Sequence, residues 1–66
     1  MMKVYWIEND KGERYGNARI FTSTGVPKLY GKRKLTEDVI DYSLGWRTRR
    51  YGEVFHVVEG ELSVHN

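Results

Sequence analysis

Cysteine is absent from this 66-residue chain, proline occurs once, and the only histidines are His56 and His65. Without cysteine there is no disulfide scaffold and no thiolate-ligated zinc. No apolar run approaches the roughly 20 residues that span a bilayer. The opening Met1-Met2-Lys3-Val4-Tyr5-Trp6 also lacks the apolar stretch of a secretory signal. These absences predict a cytoplasmic protein with no membrane partner. No repeat and no Ser-, Gly- or Gln-rich tract marks a linker or a disordered segment. The chain is too short for two cores or an enclosed catalytic cavity, so residues 1–66 are expected to form one small domain. A core of this size with no disulfide gives self-association a physical motive, and a homodimer is one expected assembly.

Chemical motifs are equally scarce. Metal sites need clustered ligands at defined spacing, and the two histidines fall in separate segments with no helical pair, so no metal and no cofactor is expected. His56 shares a strand face with Val54 and Val58, as a core or interface histidine would. Ser23, Ser43 and Ser63 lie in no nucleophile elbow. Tyr30-Gly31-Lys32-Arg33-Lys34 holds one glycine and lacks the spacing of a phosphate loop, and Glu37 and Asp38 follow it. The chain therefore reads as non-catalytic. The one enzyme class whose residue types are present is a small ribonuclease, with His56, Glu53, Arg49 and Tyr51 as its acid, base and phosphate-stabilising groups.

What is present is a folded composition, with 39% hydrophobic, 14% aromatic and 30% charged residues. Lys3 to Glu8 is rich in strand formers, and Asn9-Asp10-Lys11-Gly12 is turn chemistry, which predicts a hairpin onto a second strand from Arg14 to Thr22. In that strand the Ala18/Ile20 side is the expected core face. Lys28 to Tyr30 is a further short strand after the turn at Ser23 to Pro27. Thr36 is positioned to cap a helix from Glu37 to Leu44, with acids in its first turn and Gly45 as its left-handed end. Trp46 then reads as a structural anchor against the last turns. Arg47 to Tyr51 reads as a strand, Glu53 to Val58 as a central strand, and Glu59-Gly60 as a turn into an edge strand. The fold expected is α+β: a twisted antiparallel sheet of four to five strands, β-β-(β)-α-β-β, with one short helix packed on one face. Because Phe55/Val57 and Val54/Val58 point to opposite faces, both faces need cover.

Net charge is +2, yet the cations are concentrated in residues 28 to 50 and the last sixteen residues carry acids but neither Lys nor Arg. Tyr 5 and Trp 2 on so small a body, with arginines nearby, are the residue types that dominate protein interfaces. The leading expectation is thus stoichiometric protein recognition by an inhibitor or adaptor, of the kind phages and mobile elements encode. Tyr15, Arg19, Arg47, Arg49 and Tyr51 form its expected surface. The alternative is nucleic-acid binding through Lys32, Arg33, Lys34, Arg47, Arg49 and Arg50, gathered into one patch by the short helix between them, with tyrosines stacking on bases.

Overall fold

The computed structural model describes residues 2–16 and 21–63. Four strands form one antiparallel sheet: β1 (Met2–Asn9), β2 (Arg14–Tyr15), β3 (Phe21–Thr22) and β4 (Phe55–Leu62), in the order β3-β2-β1-β4. Between β3 and β4 runs one continuous helix of 19 residues, which establishes the α+β class. It comprises α1 (Arg33–Val39), a single π turn (Ile40–Leu44) and α2 (Gly45–Tyr51). Among the described residues no helix is long and apolar enough to cross a membrane.

The β1–β2 hairpin follows from its turn residues. Gly12 takes the left-handed φ of 78°, which a glycine adopts without a Cβ penalty. The Asn9 side-chain oxygen accepts bonds from the Lys11 and Glu13 amides, both at 3.0 Å. The stretch from Arg14 to Thr22 is not one strand: its two ends, β2 and β3, pair with each other antiparallel, Tyr15 opposite Phe21. The Ala18/Ile20 face and Arg19 lie outside the described residues. Lys28 to Tyr30 contributes only a bridge, in which Tyr30 exchanges two backbone bonds with Tyr5 at 2.9 and 2.8 Å.

The helix differs most from the sequence expectation. It starts at Arg33, three residues before Thr36, because Lys, Arg and Leu are strong helix formers. Thr36 is fully buried inside it, and its hydroxyl donates to the Lys32 carbonyl at 2.8 Å instead of capping. At the other end, Gly45 has an ordinary helical φ of −58° and the helix runs through it. Glycine there costs about 1 kcal/mol relative to alanine, which is offset by the good propensity of the arginines beyond and by the anchoring of Leu44 and Arg47 on the sheet. The left-handed residue that ends the helix is Gly52, φ 70°, whose amide reaches the Thr48 carbonyl at 2.9 Å. Arg47 to Tyr51, expected as a strand, is therefore the last turn and a half of helix.

β4 is likewise a correction. It runs unbroken through Glu59-Gly60, and it lies at the edge of the sheet rather than its centre, paired with β1 from Met2↔Leu62 to Asn9↔Phe55. The register assigns the faces. Tyr5, Ile7, Tyr15, Phe21, Phe55 and Val57 point toward the helix, where Ile7, Tyr15, Tyr30 and Leu44 form the buried cluster. Phe21 and Phe55 pack on this cluster, whereas Trp6 lies on the opposite face. There its ring covers Gly60, where a built Cβ would sit 2.5 and 2.6 Å from the indole. The indole N–H donates to Glu8 at 2.8 Å, which holds the ring in place. Gly60→Val should therefore destabilise the domain by about 1–3 kcal/mol through overpacking, read as a lowered urea midpoint. A midpoint equal to wild type would show that the indole swings away freely.

Burial, with a smaller repulsion from the Tyr15 phenolate, pushes the Tyr30 phenol above its ordinary value. A group neutral in the fold with a raised value contributes stability that is complete below its unfolded pKa of about 10 and is lost as pH rises through the higher folded value. Stability should therefore fall as pH rises above about 10, and Tyr30→Phe should flatten that alkaline limb, as measured by urea melts at increasing pH.

Candidate functional site

The helix carries the charged residues of the middle of the chain, and its length sets their distribution. Lys34 and Arg47 are thirteen residues apart, about 20 Å along the axis at 1.5 Å per residue. The expected single patch is thus two patches, one at each end of the helix, with Glu37, Asp38 and Asp41 between them. At the first, Lys32 is exposed, and the Arg33 guanidinium lies over the Tyr5 ring at 5.5 Å. Lys34 pairs with Asp38 one turn on, at 3.1 Å, and this carboxylate holds the ammonium above its ordinary pKa. An exposed pair of this kind adds little to stability.

The surface at the second patch is built differently. Tyr42, Trp46 and Tyr51 are 86%, 50% and 63% exposed. Residues 42, 46 and 50 recur at a four-residue spacing, which stacks them on one helix face. Trp46 and Tyr51 meet edge to face with centroids 6.1 Å apart, and the Arg50 guanidinium sits over Tyr51 at 5.6 Å. Two aromatic rings and a cation thus form one partly preorganised cluster, with Tyr42 one turn before it and Arg49 exposed beside it. The sequence signal for this cluster is the same four-residue spacing, which is continuous only when the helix runs through Gly45.

Of the five residues expected to bind protein, Arg19 lies outside the described residues and the other four separate into three groups. Arg49 and Tyr51 are exposed on this part of the helix. Tyr15 is a core residue, 5% exposed and tilted against Phe21 with ring centroids 5.2 Å apart, because its register opposite Phe21 points it at the helix. Arg47 is structural. It donates to both Glu53 carboxylate oxygens at 2.5 and 3.0 Å, and its guanidinium covers the stacked Phe21 and Phe55 rings at 5.2 and 5.8 Å. This bidentate pair ties the helix end to the approach of β4. Arg47→Ala should cost about 1–2 kcal/mol of stability through lost cover and an orphaned Glu53, measured by urea titration. An unchanged midpoint would mark Arg47 as a surface residue after all.

No one described cavity is lined by all four of the residues grouped for acid-base chemistry, and Tyr51 stays apart from His56. Arg49 and Glu53 line one of about 540 Å³, Tyr51 and Glu53 a second of about 450 Å³, and His56 a third of about 370 Å³. His56 is exposed on the sheet face away from the helix, opposite Glu8. Among the described residues no three His, Asp or Glu side chains cluster as a metal site would require. No protein-family model matches the chain, and no characterised protein or solved structure is significantly similar to it, so its function must be read from its own surface chemistry.

Proposed function

We propose that this chain is a non-catalytic binding protein that acts by stoichiometric recognition of another protein, as an inhibitor or adaptor, through the aromatic and arginine-bearing face of its helix. The observation that carries the reading is the joint exposure of Tyr42, Trp46 and Tyr51 beside Arg50. A fold with so few buried side chains leaves two tyrosines and a tryptophan in water, although such rings are large. Covering half of a ring of about 150–250 Å² at about 25 cal/mol/Å² returns roughly 2–3 kcal/mol. Three such rings on a rigid helix supply the anchors of an interface, with arginines at their side.

The same exposed Arg49 and Arg50 favour a second reading, single-stranded nucleic acid stacked on Trp46 and Tyr51. The distance to Lys32, Arg33 and Lys34, and the acids between, count against it, since carboxylates along the path repel phosphate. Fluorescence anisotropy of labelled single-stranded DNA and RNA at about 50 and 200 mM salt separates the two, because phosphate-driven affinity falls by orders of magnitude over that range. Protein recognition predicts no such binding. Micromolar binding that collapses at high salt and weakens on neutralising Arg49 and Arg50 would replace it with the nucleic-acid reading.

A further inference from the structure

A different surface is carried by the free edge of β4 and the helix flank beside it. Tyr5 uses its N–H and C=O on Tyr30, and in an antiparallel ladder both groups of a residue point the same way while successive residues alternate. Glu59, opposite Tyr5, and Val57, two residues earlier, therefore turn their backbone groups away from β1. Among the described residues nothing pairs with that edge, because β4 ends the sheet order. An eight-residue strand with an open ladder is a template for another strand.

Beside this edge lies a groove. Two cavities of about 540 and 370 Å³ share Ile40, Asp41 and Phe55 and so join into one trough between the helix and β4. Its floor is apolar: Ile40, Phe55 and Val57. Glu37 and Asp41 stand on its helix wall, exposed and in no ion pair among the described residues. Glu59 projects to the same sheet face from β4 and is likewise unpaired. Arg33 and Arg49 mark its two ends, the first over Tyr5 and the second folded back over Gly45, 3.1 Å from where a Cβ would be.

We propose that the β4 edge and this groove accept an extended protein segment that adds as a fifth strand and carries Lys or Arg at every second position. Side chains of an added strand alternate, so every second one enters the groove. A lysine or arginine there lays its methylene stem over Ile40 and Phe55 and places its cation at Glu37 and Asp41. Charge rules out a second copy of this chain as the occupant. A two-fold axis normal to the sheet pairs β4 with itself only in registers that place Glu59 and Glu61 of both copies on the groove side, adding acids where Glu37 and Asp41 already stand. This site uses residues separate from Tyr42, Trp46 and Tyr51, so the two proposals fail independently.

The test uses the whole protein and a labelled ten-residue peptide with lysine at alternate positions and threonine or valine between. The expected result is anisotropy-detected binding that is at least tenfold weaker for the glutamate counterpart and for a peptide N-methylated along its pairing edge. Glu37→Lys with Asp41→Lys should reverse the peptide preference; both positions are exposed, and a thermal melt confirms that the variant folds. In the complex, hydrogen exchange at the Val57 and Glu59 amides should slow at least tenfold, while His56 and Val58, already bonded to β1, change little. Equal affinity for the two peptides, no binding of either, or no added protection at Val57 and Glu59 would overturn the proposal. So would prior protection of those amides in a self-associated protein, which would name a second copy as the occupant.

Discussion

Replacing Ile7 with alanine should destabilise the domain by about 2–5 kcal/mol. Ile7 is fully buried at the centre of the core cluster formed with Tyr15, Tyr30 and Leu44. Its register sets it between Val57 of β4 and Tyr15 of β2, so its side chain stands in the middle of the sheet face that the helix covers through Leu44. Ile7 is carried by β1, which is fixed by ladders to β2 and β4 on its two sides, and this limits collapse into the resulting cavity, so the value should lie in the upper half of the range. A domain of this length has a total stability of about 3–10 kcal/mol at roughly 0.05–0.15 kcal/mol per residue. The variant should accordingly be substantially unfolded at 25 °C, seen as lost near-ultraviolet ellipticity and a broad melt. A cooperative melt within a few degrees of wild type would mean that the core lies elsewhere.

Trp46→Ala combined with Tyr51→Ala should have the opposite profile. Each ring is at least half exposed, and neither belongs to the buried cluster, so the melting temperature should stay within a few degrees of wild type. Partner affinity should fall by at least about thirtyfold, because hot-spot truncations cost 2 kcal/mol or more. The contrast with Arg47→Ala, which should lower stability, separates the residues that hold the helix on the sheet from those available for recognition.

The α+β class, the first hairpin and the existence of one helix were legible because each rests on local chemistry: strand formers before Asn9, a glycine at the turn, apolar residues at helical spacing from Val39 to Leu44. The helix ends were not, because Gly45 has the composition of a terminator and only the packing of Leu44 and Arg47 overrides it. That single boundary displaced Arg47 to Tyr51 into a strand and so hid the four-residue spacing of Tyr42, Trp46 and Arg50. The place of β4 at the edge was concealed for another reason. Phe55 to Val58 is apolar on both faces, which suits a central strand, but edge position is decided by long-range pairing that periodicity does not encode. The burial of Tyr15 was not legible because its face is set by the pairing register with β1, which places it opposite Ile7 beneath the helix.

The exposed aromatic face of the helix is the interaction surface proposed for this protein. The direct measurement is photo-crosslinking from position 46 in the producing cells, with a photoreactive phenylalanine in place of Trp46 and mass spectrometry of the products. A single protein adduct of defined stoichiometry, lost when Tyr42 and Tyr51 are changed to alanine, is the predicted result. Adducts to nucleic acid, or no adduct above the level seen from exposed Met2 at the far end of β1, would contradict it.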